Sequence, residues 1–303
     1  MGRPAIARRA AFAAVLLGGG TVGCGGGSPS DSARAGSSGE TPATAVAKAA
    51  ENAERIKSLH YRVTGTVPER GRLEAEASMR TEPAVMKMTM KASGKGADGR
   101  MEIRFVDEVM YVSGSAIDSE KLGGRSWFSA DPAVWGRGST DNESYRVLPA
   151  PIEGNPAAQS TMLTAAKGVR RIGTETIDGT RTTHFKGTVT GRGISAARDA
   201  APDKAARERQ IGNLDQFMML RIDDTLTVDL WIDDDDRTKQ FRMQGDTRAT
   251  RGGTDGQPLE FVDGDPLDLT FTFLDANQPV TVAAPPSEDT ADLAAQADEA
   301  QTG

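Results

Sequence analysis

The chain has 303 residues, 37% of them apolar, 26% charged and only 5% aromatic, the balance of a globular protein rather than a fibrous or membrane-embedded one. Its formal charge of −7 becomes −10 if a leader carrying Arg3, Arg8 and Arg9 is removed, which sets it against phosphate backbones and excludes nucleic acid as an expected partner. With two histidines and one cysteine there is little material for metal or cofactor chemistry, so no cofactor, metal ligand or catalytic residue is expected and the chain reads as a non-enzyme.

At the start, Arg3, Arg8 and Arg9 precede the apolar run Ala10-Ala11-Phe12-Ala13-Ala14-Val15-Leu16-Leu17, and small residues lead to Thr21-Val22-Gly23-Cys24. The run is far short of the roughly 18–20 apolar residues of a bilayer span and has the layout of a bacterial secretory signal. Val22-Gly23-Cys24 resembles a lipobox, with Thr21 where an aliphatic residue is usual. Residues 1–23 are therefore expected to be a lipoprotein signal peptide and Cys24 the site of lipid attachment; the alternative is an unpaired thiol beside an ordinary cleavage site. Two or three acyl chains, palmitate among them, hold a protein stably at about 0.8 kcal/mol per buried methylene, where one chain is marginal. Arg8-Arg9 also fits twin-arginine export. Residues 24–43, rich in Gly and Ser, read as a flexible tether that places the domain at the extracytoplasmic face of the cell membrane. With its one cysteine taken by the anchor, the chain has none left for an internal disulfide.

Thr41-Pro42 is a cap and first-turn pair, and Val46, Ala49, Ala53, Ile56 and Leu59 recur at helical spacing, predicting one opening amphipathic helix. The period then falls to two: Tyr61, Val63 and Val67; Leu73, Ala75, Ala77 and Met79; Met86, Met88 and Met90; Met101, Ile103 and Phe105. These predict successive antiparallel strands, with a further strand at Tyr111-Val112 and a break at Gly123-Gly124 before Ser126-Trp127-Phe128. Asn155-Pro156 followed by Ala157, Met162, Leu163 and Ala166 predicts a second helix ending near Gly168. Residues 170–177, the Asp178-Gly179 pair and residues 182–190 predict a hairpin, since that dipeptide suits the turn whose twist matches its strands. Residues 202–219 predict a third helix, weakened by Gly212. Three last strands carry Leu226, Val228, Leu230 and Ile232; Phe241 and Met243; Leu267, Leu269, Phe271 and Phe273. Thr227, Asp229, Asp268, Thr270 and Thr272 fall on the opposite face, so the sheet has one wet and one apolar side. Residues 286–303, acidic and without a base, are expected to be a disordered tail.

Three helices, two of them alanine-rich, are few to cover the apolar stripes of eight or more strands, so incomplete coverage and room for an apolar guest are expected. Seven methionines (Met79, Met86, Met88, Met90, Met101, Met110 and Met243) sit where β-branched residues are usual, and their flexible thioethers adapt to guests of variable shape. An ordinary dry core accounts for them equally well.

Arg171-Ile172-Gly173-Thr174-Glu175-Thr176-Ile177-Asp178-Gly179 with His184-Phe185-Lys186-Gly187, then Val228-Asp229-Leu230-Trp231-Ile232-Asp233, then residues 273–285, form an ordered set. They resemble the hairpin, tryptophan-bearing strand and terminal strand of the LppX/LprG lipoproteins of mycobacteria and their actinobacterial relatives. The likeness takes in the leader and opening helix and covers most of residues 46–285. It implies an α+β, β-rich fold: a curved antiparallel half-barrel sheet wrapped around a few helices, LolA-like, over residues 44–285. It also implies a cavity for acyl chains of lipid or glycolipid, which the protein would transport or present across the cell envelope. The residues expected to line it are Met86, Met88, Met90, Ile103, Phe105, Val228, Leu230, Phe241, Phe271 and Phe273. The alternative is an envelope protein-interaction or sensory domain with a filled core, an envelope protein as its partner and no lipid.

Three patterns invite other readings. Gly94-Lys95-Gly96-Ala97-Asp98-Gly99 matches the dinucleotide fingerprint G-x-G-x-x-G, but a strand rather than a helix is expected to follow, which makes it a hairpin loop. Asp233, Asp234, Asp235 and Asp236 lack the Gly and distal Glu of a calcium loop and fall at an expected turn. His60 and His184 stand at strand positions with no adjacent carboxylate or serine motif to suggest a triad, and are expected to be structural.

Overall fold

The computed structural model describes residues 40–68, 71–94, 99–115, 119–130, 161–252 and 258–292. Helix α1 (Pro42–Ala53) leads into β1 (Ser58–Val67), β2 (Gly71–Thr81), β3 (Ala84–Ser93), β4 (Gly99–Val106), β5 (Val109–Gly114) and β6 (Trp127–Ala130). A helical turn at residues 161–164 precedes β7 (Lys167–Ile177) and β8 (Thr180–Thr190), followed by α2 (Gly191–Asp199) and α3 (Lys204–Met219). Then come β9 (Thr225–Asp233), β10 (Thr238–Gly245), β11 (Arg248–Arg251), β12 (Glu260–Asp263), β13 (Leu267–Ala276) and β14 (Thr290–Asp292).

All but β11 and β12, which pair with each other, belong to one curved sheet in the order β14-β6-β5-β4-β3-β2-β1-β13-β10-β9-β8-β7. Neighbours run antiparallel except β14 and β6, and the end strands β14 and β7 do not meet. The chain thus forms the antiparallel strands that its alternating pattern predicts, in the β-rich, open half-barrel that the family resemblance implies. β13 makes the sheet continuous, pairing with β1 on one side and β10 on the other. Where β1 passes β13, Gly65 adopts φ +143°, a region reserved for glycine, and lies against the Asp268 carbonyl.

Local chemistry explains most boundaries. The Thr41 hydroxyl accepts the Thr44 N–H at 3.2 Å, Pro42 occupies the first turn, and Val46, Ala49, Ala50 and Ala53 are buried. The helix ends at Ala53 rather than running on to Leu59. Leu59 also satisfies the alternation of Tyr61 and Val63, and in β1 its backbone pairs with both Met79 and Ala276. Two ladders outweigh one more helical turn. At the β7–β8 hairpin Asp178 and Gly179 both have positive φ, 45° and 78°, giving the two-residue turn that the dipeptide predicts.

Two parts were not legible in advance. Helix α2 begins on Gly191 and Gly193, poor helix formers, but the Thr190 hydroxyl caps it by accepting the Gly193 N–H at 3.0 Å. Residues 286–292, assigned to the acidic tail, belong to the fold. After β13 the chain crosses the outer face of the sheet, where Val280 packs with Val85 and Val106. Arg80 and Arg104 donate to the Val280 and Ala283 carbonyls at 3.2 and 3.0 Å. The Ser126 N–H donates to Asp289 at 2.8 Å, and β14 then pairs with β6. Composition marks those acids as solvated, whereas the free edge of β6 gives the strand a partner.

Candidate functional site

Strand register sorts the apolar side chains into rows that cross much of the sheet on its inner face. One row runs Met101, Met90, Ala75, Val63, Phe271, Phe241, Leu230 and Phe185, each opposite the next on adjacent strands. A second runs Met110, Phe105, Met86, Met79 and Leu59. A third joins Val112, Ile103, Met88, Ala77, Tyr61 and Phe273. The ten residues expected to line a cavity all stand on these rows or, for Val228, beside them opposite Met243, and all belong to or pack against one apolar cluster. Nine of them are buried, and Met90 is partly exposed. At these positions the chain itself covers the apolar face that the sequence left open.

The cover comes from α1 (Val46, Ala49), from Met162 and Leu163, from Ile194 of α2 and from Phe217 of α3, all in the same cluster. Gly187 of β8 permits the closest approach: a Cβ there would lie 2.9 Å from Ala166 and 3.0 Å from Leu163. Helix α3 departs from ordinary amphipathicity. Gln210, Asn213 and Gln216, three residues apart, form a polar stripe that is buried with the apolar groups. Asn213 Nδ2 donates to the Thr161 hydroxyl at 3.2 Å and Gln210 Nε2 to the Thr161 carbonyl at 3.4 Å. Asn213, 1% exposed, has no partner for its Oδ1. A buried unmatched carbonyl costs about 1–3 kcal/mol, so the roof of the sheet offers an acceptor to any donor that comes within reach.

The outer face of β7, β8 and β9 holds a second constellation, which the sequence did not reveal. His184 Nδ1 lies 2.8 Å from Glu175 Oε1 and Nε2 lies 2.8 Å from Asp229 Oδ1. Trp231 stacks on the imidazole at 4.2 Å between centroids and donates its indole N–H to Glu175 Oε2 at 2.8 Å. Lys186 donates to Asp229 at 3.2 Å, and only 4% of the Asp229 side chain is exposed. Five of the residues that carried the family likeness, Glu175, His184, Lys186, Asp229 and Trp231, are therefore one knot tying three strands, while Phe185, Val228 and Leu230 from the same segments face the apolar side.

The Trp231 indole and the His184 ring hold the Glu175 carboxyl below its usual 4.5, against a smaller opposing effect of burial. A carboxyl lowered on folding stabilises the fold above its unfolded value and loses that contribution as pH falls through its folded value. Glu175→Gln is expected to unfold at lower urea than the parent at neutral pH, with the gap closing as the pH drops below 4.5. A gap constant over that range would separate Glu175 from the knot. The effect is modest, because 44% of the Glu175 side chain is exposed.

Gly94 and Gly99 flank the β3–β4 hairpin, with a strand following as expected, and residues 95–98 lie outside the described residues. Asp233 accepts the N–H groups of Asp235 and Arg237 at 3.0 and 2.8 Å, Arg237 pairs with Asp233 and Asp235, and Lys48 pairs with Asp236 at 2.6 Å, so the four acids fall at a turn with two cations against it. His60 lies 3.0 Å from Glu76 on the outer face. No group of three or more His, Cys, Asp or Glu side chains among the described residues is placed to hold a metal ion, and no helix among them is long and apolar enough to cross a membrane. Cys24 lies outside the described residues.

No family model matches the chain. It is 25% identical over 158 residues to an uncharacterised 31.2 kDa protein of Streptomyces griseus encoded between rplA and rplJ. That match takes in 51% of this chain and spans about half, 48%, of the relative's length. Among solved structures it is similar to the lipoprotein LppX of Mycobacterium tuberculosis, at 14% identity and TM-score 0.47 over 80% of this chain and 98% of LppX. It is also similar to LprF of Mycobacterium bovis, at 15% identity and TM-score 0.46 over 80% of this chain and 96% of LprF. LppX is a lipoprotein of the type that the sequence motifs resemble.

Proposed function

We propose that this protein is a lipoprotein anchored through Cys24 to the extracytoplasmic face of the cell membrane, where it shelters acyl chains of a lipid or glycolipid on its inner face for transport or presentation across the envelope. The observation that carries this reading is the inner face itself. Apolar rows run across as many as eight neighbouring strands and are roofed by helices, one of which brings a buried, partly unmatched polar stripe. A wall rich in methionine re-forms around a chain at low cost. Because the lining side chains are already buried against their own roof, an acyl chain enters by lifting the helices rather than by filling a standing void. No covalent step is involved.

Native mass spectrometry of protein extracted in mild detergent is expected to show bound lipid. Met88→Trp, at a fully buried position in the middle of β3, is expected to cost about 1–3 kcal/mol by overpacking and to abolish uptake of a fluorescent fatty acid. Protein that is always empty, with no uptake by the parent chain, would remove the lipid reading. The closure of the inner face favours one other reading, a filled-core envelope domain that binds a protein through its outer surface. That reading predicts partner binding indifferent to Met88→Trp.

A further inference from the structure

Between the end of α1 and the start of β1 the surface opens into a cleft of about 510 Å3, lined by Arg55, Lys57, Ser58, Arg80, Glu82 and Asn277. We propose that this cleft is an anion site that binds the phosphate of a ligand headgroup while the acyl chains pass inward. The proposal rests on the lipid reading above and adds a class to it, phospholipid rather than neutral lipid.

Charge is the first argument. The chain carries −7 overall, yet the cleft is lined by three cations and one carboxylate, and with Glu51 paired to Arg55 at 2.9 Å from outside the lining the cations are still in excess by one. The second is that the cleft is held in shape by backbone-directed bonds. Arg80 spends two of its five N–H donors on the Pro83 and Val280 carbonyls, at 3.3 and 3.2 Å, which fixes the plane of its guanidinium. The Lys57 N–H is held by Asn277 Oδ1 at 2.8 Å, and Asn277, with φ 59°, turns the chain out of β13 at that point. The Lys57 ammonium is only loosely engaged, 3.5 Å from Glu82 where a charge-assisted bond is usually about 2.7–2.9 Å, so a phosphate oxygen is a better partner than the one it has.

Position is the third. Ile56, between Arg55 and Lys57, packs against the inner apolar cluster, and Ser58 is followed by Leu59 inside it. A phosphate seated in the cleft therefore has the acyl interior next to it, on the far side of a short connection between α1 and β1. The volume falls within the roughly 300–1,000 Å3 of small-molecule sites and accommodates a phosphate with an attached glycerol or sugar.

Calorimetric titration of the exported domain with dihexanoyl phosphatidic acid, dihexanoylglycerol and inorganic phosphate tests this. The phosphatidic acid is expected to bind at least about tenfold more tightly than the diacylglycerol, with the margin shrinking as salt is raised. Arg55→Gln with Lys57→Gln, both at exposed side chains and so compatible with folding, is expected to erase that margin and leave dihexanoylglycerol binding unchanged. Equal affinity for the two lipids, unaffected by the double variant, would overturn the cleft and leave the acyl reading standing. Inorganic phosphate binding as tightly as phosphatidic acid, and lost in the variant, would uphold the anion site with free phosphate as its ligand and remove the acyl part. Failure of all three ligands to bind would remove both.

Discussion

Gly65→Ala is expected to cost about 4 kcal/mol or more, the far tail of single-substitution effects, or to leave no folded protein. Two penalties act together. At φ +143° a side chain is strained wherever it sits, and a Cβ here would overlap the carbonyl oxygen of Asp268 while lying 3.0 Å from the Leu269 Cα. Both obstacles are backbone, so neither yields by rotating a side chain; β1 and β13 must separate. That pairing joins the strands before residue 115 to those after residue 160, so the loss spreads through the sheet. Gly173→Ala is the control: no heavy atom lies within 4 Å of the added methyl, and a change within about 0.5 kcal/mol is expected. Equilibrium urea unfolding compares them, and equal midpoints for Gly65→Ala and the parent would refute the close approach.

Phe241→Ala is expected to cost about 3–5 kcal/mol, the range for removing a buried aromatic ring. Phe241 is fully buried, faces Phe271 across β10 and β13 with centroids 6.2 Å apart, and also faces Leu230 on β9. The response to lipid gives the variant a second use. If acyl chains occupy the inner face, the space left by the ring becomes part of their site, and added fatty acid should raise the midpoint of Phe241→Ala more than that of the parent. A stability loss with no lipid response in either protein would fit a filled core.

The sheet was readable because its pattern is redundant. The strands β1 to β4 alternate over most of their length, and the Asp178-Gly179 turn sets a later hairpin by itself. What escaped was information carried by register between distant strands. His184 and Lys186 are two apart on β8, Asp229 and Trp231 two apart on β9, which predicts shared faces but not that they meet; only the pairing of His184 with Trp231 brings them together. The polar stripe of α3 escaped for another reason. Gln210, Asn213 and Gln216 look solvent-facing to any rule based on polarity, yet all three are interior, where Thr161 and Thr164 answer Gln210 and Asn213 from a separate turn. The ten inner-face residues were legible as a set, since alternation fixes which side they take, whereas their coverage by α1, α2 and α3 is a matter of three-dimensional fit.

The crossing segment from Val280 to β14 also fixes an order of assembly. β6 is made early and its outer edge is sealed late, by residues that emerge after every other strand of the sheet has been synthesised. Until they arrive, one border of the sheet is an open template for a foreign strand, and Val85 and Val106 stand bare beside it. A polypeptide broken off short of that segment would thus carry a sticky margin that β14 otherwise hides.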